Sequence, residues 1–257
     1  MHCTWHVLLV IVFSFLSFAT SYLTMSSSSS SSIDERVNPR WHACWERGVP
    51  IGSSFDTGGI VSPALQQLID NKVIPTGRAL VPGCGRGYDI VALASEERYA
   101  LGIDMSGVAV KEALAAIDKL PTEKRPSPET FDIKEGSFFD LSEEEDQKFD
   151  FIYDYTFLCA LDPSIRTAWA RKMAALVKPG GELLTLIFPI RDNSTEGPPF
   201  QVSLELFTDL LTPIGFECMR LELLPSELCH RDRDGSALLA DPNSRMGKSG
   251  IGRWRRK

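Results

Sequence analysis

The chain has 257 residues, of which 43% are hydrophobic and 24% charged, with 19 glycines and 16 prolines. This is the composition of an ordinary globular protein of one domain, and it excludes collagen-like, coiled-coil and wholly disordered chains. Acidic residues number 34 against 27 lysines and arginines, for a formal net charge of -7, so nucleic acid is not an expected partner because it is bound by basic surfaces.

The amino-terminal segment differs from the rest, because residues 1–33 contain no Asp, Glu, Lys or Arg. Its apolar run at residues 7–19 is shorter than the roughly 20 residues that a membrane span needs. It has the length of a signal-peptide core and ends with the small residues Ser17 and Ala19. A serine run at residues 26–32 predicts a flexible linker.

We therefore predict a leader and linker over residues 1–33, a globular domain over residues 34–257, and no stable membrane insertion of the mature chain. The leader indicates the secretory route or an organelle. A translation start at Met25 would instead leave the protein in the cytoplasm, and the sequence leaves both open.

The cysteines show no pattern of a metal site or a disulfide scaffold. They are scattered along the chain, without a C-x-x-C pair, at positions 3, 44, 84, 159, 218 and 229. We expect reduced thiols and no bound metal.

Strand and helix patterns alternate through the rest of the chain. Asn38-Pro39 predicts a helix that ends at Gly48 and places Trp41 and Trp45 on one face. Further helices are predicted after Ser62 and Asp162 and at residues 88–94, 106–119 and 204–211. Strands are predicted at residues 78–82, 99–103, 131–135, 148–154, 182–188, 216–224 and 251–256, with KPGG at residues 178–181 ending the helix before the fifth.

Strands separated by helices indicate βαβ units, whose crossovers are right-handed and whose strands are parallel. We predict an α/β fold: a Rossmann-like, doubly wound, mostly parallel seven-stranded sheet with helices on both faces and an N-terminal helical cover. In such a sheet the ligand lies at the carboxyl ends of the strands.

A glycine-rich loop follows the first strand, and an acidic residue ends the second. Gly83, Gly85 and Gly87 let the backbone turn tightly and approach a ligand at the start of the next helix. Asp104 can accept both hydroxyls of a ribose. This arrangement suits nicotinamide, flavin and S-adenosylmethionine alike.

The glycine spacing separates these ligands. Dinucleotide sites use G-x-G-x-x-G to hold a pyrophosphate, whereas the G-x-G-x-G spacing here favours S-adenosylmethionine, which has no phosphate. A nicotinamide dehydrogenase, or a turn that only packs a helix against a strand, is the alternative.

Several strings together resemble a known family. ALVPGCGRGYD at residues 79–89 and LGIDMS at residues 101–106 are similar to the cofactor-binding core of class I methyltransferases. The chain more narrowly resembles the thiopurine-methyltransferase-like superfamily, and within it the plant-type halide and thiocyanate (thiol) methyltransferases. The further matches run in order to the end of the chain: WHACWERG (41–48), FDFIYDYTFLCA (149–160), KPGG (178–181), GPPF (197–200), PIGF (213–216) and GRWR (252–255).

The resemblance implies S-adenosylmethionine as the cofactor and a set of contacts to it. Trp41 and Trp45 would lie on the helix that covers the cofactor, with Phe55 in the place of a third tryptophan of the family. Gly83 would face the methionine part and Asp104 the ribose.

The remaining expected contacts come from the same loop and from the ends of later strands. They are Cys84 and Gly85 beside Gly83, Gly136 and Ser137 beside the adenine, Asp154 at the carboxyl end of the fourth strand, and Tyr155 near the transferred methyl group. Tyr153 and Tyr155 are the candidate catalytic residues.

The expected reaction is an in-line transfer of the methyl group to a small soft nucleophile such as a halide, thiocyanate or hydrosulfide. A halide needs no general base, whereas a thiol must lose a proton. The only histidine near a motif, His42, is interpreted as structural. A larger aromatic or heterocyclic thiol as acceptor, or a non-catalytic protein that binds S-adenosylmethionine, is the alternative. We expect a monomer.

Overall fold

The computed structural model describes residues 40–52, 56–191, 197–229 and 248–257. The predicted leader and linker lie outside these residues. Seven strands form one sheet in the order β3-β2-β1-β4-β5-β7-β6. The strands are β1 Gly77–Pro82, β2 Arg98–Asp104, β3 Phe131–Glu135, β4 Phe149–Tyr155, β5 Val177–Ile190, β6 Phe216–Leu223 and β7 Lys248–Arg256.

The strands β1 to β5 are parallel, and β7 lies antiparallel between β5 and β6. The helices are α1 at residues 40–46, α2 Pro63–Asp70, α3 Tyr88–Leu93, α4 Gly107–Asp118, α5 Arg166–Leu176 and α6 Leu204–Leu211. Short 3-10 turns lie at Thr122–Lys124, Pro128–Thr130, Phe138–Asp140, Glu145–Gln147, Leu158–Ala160, Pro163–Ile165, Thr212–Ile214 and Ser226–Leu228. The predicted doubly wound, mostly parallel sheet of seven strands is confirmed.

The two faces of the sheet carry different helices. On one face Tyr153 of β4 belongs to an apolar core with side chains of α2, α3 and α4, among them Leu65, Ile90 and Ala113. Successive side chains of a strand point to opposite faces. Asp154 therefore faces the other side, where Trp169 of α5 donates a hydrogen bond to its carboxylate at 2.8 Å.

Local chemistry explains where several helices begin and end. Ser106 begins α4, because its hydroxyl oxygen accepts a hydrogen bond from the amide of Ala109 at 3.4 Å. Ser62 is followed by Pro63 at the first position of α2. After α1 the chain turns at Gly48, whose φ of 83° lies in the left-handed region.

The predicted start of the fifth strand is wrong. Residues 178–181 do not separate α5 from β5 but lie within β5. Val177 already pairs with Phe149, and the register shifts before Glu182 pairs with Phe151. Gly180, at φ 81°, provides the left-handed residue in this irregular part of the strand.

Three features of the described residues bear on the earlier expectations. Cys44, Cys84, Cys159, Cys218 and Cys229 are free thiols. No described helix has the length and apolar composition to cross a membrane. Within the same ranges, no three His, Cys, Asp or Glu side chains are grouped so that they could hold a metal ion.

Candidate active site

The glycine loop between β1 and α3 is shaped by residues that lack a side chain. Gly83 has φ 60°, and a Cβ atom there would lie 2.7 Å from the Phe157 ring. Gly85 has φ 50°, and a Cβ atom there would lie 3.5 Å from Trp45. The left-handed conformation therefore favours glycine at both positions, and at Gly83 the close approach of the Phe157 ring also requires it.

Asp104 is oriented by the backbone on both sides of it. Its Oδ2 accepts a hydrogen bond from the Gly85 amide at 3.0 Å, and its Oδ1 accepts one from the Ser106 amide at 2.9 Å. Burial raises the pKa of Asp104, while these two hydrogen bonds lower it. Each carboxylate oxygen keeps a further acceptor site, so a ribose can be bound through its two hydroxyls.

The predicted adenine contacts lie next to Asp104. The Gly136 amide donates a hydrogen bond to the Asp104 carbonyl at 2.9 Å, which joins the ends of β3 and β2. The Ser137 hydroxyl accepts a hydrogen bond from the Phe139 amide at 3.2 Å. Phe138, held by this turn, packs edge-on against Phe157 with ring centroids 5.2 Å apart. An aromatic wall thus joins the predicted adenine side to the glycine loop.

The helix α1 contacts two of the loops that form the site. Trp45 is buried and packs with Val49 and Ala109 of α4. The indole N–H of Trp41 donates a hydrogen bond to the Ala160 carbonyl at 3.3 Å. The predicted cover is therefore anchored near both the glycine loop and the end of β4. Phe55, the third aromatic residue predicted there, lies outside the described residues.

A buried ion pair fastens this cover, and the sequence analysis did not find it. Arg86, in the glycine loop, pairs with Asp56 at 2.5 Å and with Glu112 of α4 at 2.5 Å, and it donates a hydrogen bond to the Val49 carbonyl at 2.6 Å. Its guanidinium also lies 5.3 Å from the centroid of a Trp45 ring. A signal was present, because Arg86 is the one charged residue inside the glycine loop of an acidic chain.

The backbone after β4 adopts an unusual conformation. Thr156 has φ 58°, in the left-handed region that β-branched residues rarely adopt. It separates Tyr155, at the end of β4, from Phe157, whose ring covers Gly83. Residues held in such conformations cost about 1–3 kcal/mol and cluster at functional sites. The strained backbone at Thr156 fits a segment whose conformation positions Tyr155 and Phe157.

The predicted residues of β4 divide between the two faces of the sheet. Tyr153 and Tyr155 lie on one face, with ring centroids 6.0 Å apart. Burial raises the pKa of both phenols, and the charge of Asp89 raises it further. Both tyrosines are therefore neutral hydrogen-bonding groups and not bases at neutral pH.

Asp154 does not lie on the face of the sheet that carries Tyr155. Its Oδ2 accepts the hydrogen bond from Trp169, and its Oδ1 accepts one from the Leu158 amide at 3.2 Å. Burial raises the pKa of Asp154 to about 6. With both oxygens occupied by the protein, Asp154 holds α5 and the turn after β4 in place and does not face the same space as Tyr155.

These residues fit S-adenosylmethionine. The glycine loop lets the main chain approach a ligand closely, Asp104 can accept ribose hydroxyls, and the rings of Phe157, Trp41 and Tyr155 suit a cationic sulfonium. Cys84 lies within the loop, and burial raises the pKa of its thiol well above the usual value. It is therefore a neutral wall residue.

Known proteins to which this chain is clearly similar in sequence are methyltransferases. The family model of thiopurine S-methyltransferase (TPMT) matches residues 37–239. The chain is 38% identical over 224 residues to "Probable thiol methyltransferase 2" of Arabidopsis thaliana, covering 87% of this chain and 88% of that protein. It is 37% identical over 216 residues to "Thiocyanate methyltransferase 1" of Brassica oleracea, covering 84% of each.

A solved structure supports the fold alone. A SAM-dependent methyltransferase from Methanosarcina mazei superposes with a TM-score of 0.57 at 20% identity, over 74% of this chain and 96% of that one.

Proposed function

The chain belongs to the thiopurine S-methyltransferase family, and from this we propose that it transfers the methyl group of S-adenosylmethionine to a small soft nucleophile. It is an S-adenosylmethionine-dependent methyltransferase. The proposed acceptors are thiocyanate and hydrosulfide or another small thiol, and, as a finer proposal, halides such as iodide. The single observation that carries the acceptor class is the identity of 37–38% with plant proteins named for thiol and thiocyanate methylation.

The bound cofactor supplies a methyl group on a positively charged sulfur. The chain's own task is to hold the acceptor in line with that methyl group and to keep water out. Aromatic faces serve this task, because a ring attracts a cation by roughly 0.5–2 kcal/mol when well placed. Phe157 lies against Gly83, and Trp41 is tied to the turn after β4, so both are positioned to enclose the reacting groups.

The surroundings of Tyr155 favour a poorly hydrated acceptor. Tyr153 is fully buried, and the nearby phenols and the Cys84 thiol are all neutral. A site of this kind offers little to replace the water around a hard anion. Iodide and thiocyanate lose less on leaving water and remain reactive, which supports the proposed choice of acceptor.

The test is turnover by the full-length protein with S-adenosylmethionine and each of four acceptors: thiocyanate, hydrosulfide, iodide and thiophenol. We expect volatile methyl thiocyanate and methanethiol. Turnover of thiophenol alone would replace the proposal with an aromatic-thiol methyltransferase. Binding of S-adenosylhomocysteine without turnover of any acceptor would indicate a non-catalytic protein.

A further inference from the structure

The helix α1 spans the edge of the sheet at which the parallel strands end. Its carboxyl end contacts the segments that follow β1 and β2, because Trp45 lies against Gly85 of the glycine loop and packs with Ala109 of α4. The predicted ribose and adenine contacts, Asp104 and Gly136, follow β2 and β3 on the same side of the sheet. The carboxyl end of α1 therefore covers the half of the sheet to which the cofactor is assigned.

The amino end of α1 contacts the segments that follow β4 and β5. The indole N–H of Trp41 donates its hydrogen bond to the Ala160 carbonyl in the turn after β4. Arg40 donates a hydrogen bond to the Gly197 carbonyl in the loop after β5, at 3.2 Å. In the sheet, β4 and β5 lie beyond β1, away from β2 and β3. An acceptor must approach the methyl group from the side opposite the sulfonium, so the amino end of α1 covers the half that remains for the acceptor.

Buried contacts hold the carboxyl end of α1, whereas more exposed contacts hold the amino end. Trp45 is 4% exposed, and the buried guanidinium of Arg86 donates a hydrogen bond to the carbonyl of Val49, just after the helix. At the amino end Arg40 is exposed and Trp41 is half-buried. A hydrogen bond that exchanges with water contributes less to stability than one that burial protects from water. The amino end of α1 is therefore the end that opens more readily.

The loop that Arg40 contacts is itself fixed. Three hydrogen bonds attach residues 197–202 to the turn after β4, to the end of β5 and to the start of α5. They join the Phe200 amide to the Cys159 carbonyl at 2.7 Å, Arg191 to the Pro199 carbonyl at 2.6 Å and Arg166 to the Gln201 carbonyl at 2.8 Å. A side chain at Gly197 would collide with the Phe200 ring, so the packing of the loop is also close. The Gly197 carbonyl is thus a fixed support, against which the amino end of α1 can close.

We propose that Arg40 is a positioning residue for the acceptor, because its hydrogen bond to Gly197 holds the amino end of α1 closed over the ends of β4 and β5. The amino end opens to admit the acceptor and to release the methylated product, while the carboxyl end stays closed over the cofactor. This inference rests on the proposed function and assigns acceptor entry to one end of one helix.

The experiment compares the full-length wild type with Arg40→Met, which lacks the donor, and Arg40→Lys, which keeps one. The control is Arg47→Met, the same change at an exposed arginine just after α1. The acceptor is whichever of thiocyanate, hydrosulfide, iodide and thiophenol the wild type methylates fastest. We expect Arg40→Met to raise KM for the acceptor by about tenfold, the loss of one exposed charged hydrogen bond.

The value of kcat separates positioning from a loss of folded enzyme. It should stay within about twofold of wild type in Arg40→Met, because saturating acceptor restores the closed state. Arg40→Lys should recover part of the affinity for the acceptor, and Arg47→Met should change neither constant. A fall in kcat with an unchanged KM would give Arg40 a structural role only.

Ionic strength separates a hydrogen bond from general attraction of an anion by a positive charge. KM is measured at about 0.02 M and about 0.5 M potassium gluconate, since salt screens attraction between exposed charges. We expect the ratio of KM between Arg40→Met and wild type to be the same in both. A ratio that falls to one in high salt would make Arg40 an attractor of anions and overturn the proposal.

Cofactor binding is measured without turnover, by calorimetric titration with S-adenosylhomocysteine. Arg40→Met should bind it within about twofold of wild type, because the carboxyl end of α1 remains closed. Asp56→Asn acts at that other end and should weaken this binding. A loss of S-adenosylhomocysteine affinity in Arg40→Met would show that α1 opens as one unit, which would overturn opening at the amino end alone.

The outcomes also separate this inference from the proposed function. A wild type that methylates one of the four acceptors, with the same KM in Arg40→Met, would remove the role of Arg40 and leave the proposed function intact. A wild type that methylates none of them would end both.

Discussion

Asp104 shows how one carboxylate can be fixed by the protein and still remain open to a ligand. Two backbone amides hold its oxygens at 3.0 and 2.9 Å, so its orientation does not depend on a bound cofactor. Its further acceptor sites are available for the ribose hydroxyls. Hydrogen bonds to a charged group contribute about 1.5–3 kcal/mol each, so the residue should matter more for binding than for folding.

Asp104→Asn should therefore weaken S-adenosylhomocysteine binding by about 10- to 100-fold, equivalent to one such hydrogen bond. Asparagine keeps one acceptor oxygen, and the fold should survive. Calorimetric titration measures the affinity, and thermal unfolding checks the fold. Wild-type affinity in Asp104→Asn would refute the assignment of Asp104 to the ribose.

Asp89 affects stability, with a sign set by its raised pKa. Its pKa is about 7 in the folded chain against 3.8 when unperturbed, so between these values the folded state binds more protons than the unfolded state. Stability should therefore be highest below pH 4 as far as this group is concerned, and should fall as pH rises to about 7.

Asp89→Asn should remove this pH-dependent cost. At pH 8 we expect the variant to unfold with a free energy about 1–3 kcal/mol above wild type, and the advantage should shrink toward pH 4. Urea unfolding at several pH values measures it. Wild type and variant with parallel stability curves would show that the Asp89 carboxylate is solvated and not poised near neutrality.

At the scale of elements, the covering segment and the glycine loop act as one unit. Arg86 reaches from the loop to Asp56 and to the Val49 carbonyl. Asp56 in turn accepts hydrogen bonds from the amides of Gly52 and Gly58 at 2.9 and 2.8 Å. The side chains of the pair are 6% and 2% exposed, so solvent cannot replace either partner, and loss of one leaves the other charge poorly compensated.

Asp56→Asn should loosen this segment without unfolding the sheet. We expect trypsin to cleave after the exposed Arg47 more rapidly, and S-adenosylhomocysteine to bind roughly tenfold more weakly, which corresponds to about 1.4 kcal/mol. The control Glu222→Gln breaks an exposed pair with Arg220 on β6, which should contribute at most about 1 kcal/mol. Equal cleavage rates in the two variants would argue against a fastening role for Asp56.

The elements themselves were largely predictable, and their long-range contacts were not. The strands β1 to β4 and helix α4 follow from local patterns, since apolar runs and capping residues lie within a few positions of each other. The start of β5 was missed because Pro179 and Gly180 locally favour a turn, whereas pairing of Val177 with Phe149 extends the strand. The pairing of Arg86 with Asp56 joins residues 30 positions apart, and although the charge of Arg86 stands out in the glycine loop, no local pattern identifies Asp56 as its partner.

The site residues that carry sequence motifs were predictable, whereas the faces on which their side chains lie were not. Gly83, Asp104 and Tyr155 carry motif positions, and the structure brings all three to the same end of the sheet. Asp154 and Tyr155 are neighbours in sequence, yet alternation along β4 sends them to opposite faces.

At the scale of the whole molecule, the net charge of the chain has the same sign as the charge of the proposed anionic acceptors. The chain carries a formal charge of -7, all of it after residue 33. An anionic acceptor is therefore not drawn in by the overall field, and only attraction close to the sulfonium can favour it. A neutral thiol meets no such barrier.

The leader remains a proposal that concerns the chain as a whole. When the full-length chain is produced in a eukaryotic cell, we expect the mature protein to begin just after Ala19, since Ser17 and Ala19 are the small residues of a cleavage site. Amino-terminal sequencing measures this directly. A chain that begins at Met25 would instead support a cytoplasmic protein.

The last strand has a consequence for how the chain is made. β7, Lys248–Arg256, lies between β5 and β6 and contains the fully buried Trp254. During synthesis the edge of β5 stays unpaired until β7 has left the ribosome, because β7 follows the other described strands in the chain. Nascent chains are thus exposed to edge-to-edge association from the completion of β5 until β7 emerges, and a chain that stopped before Lys248 would lose the strand that joins β5 to β6.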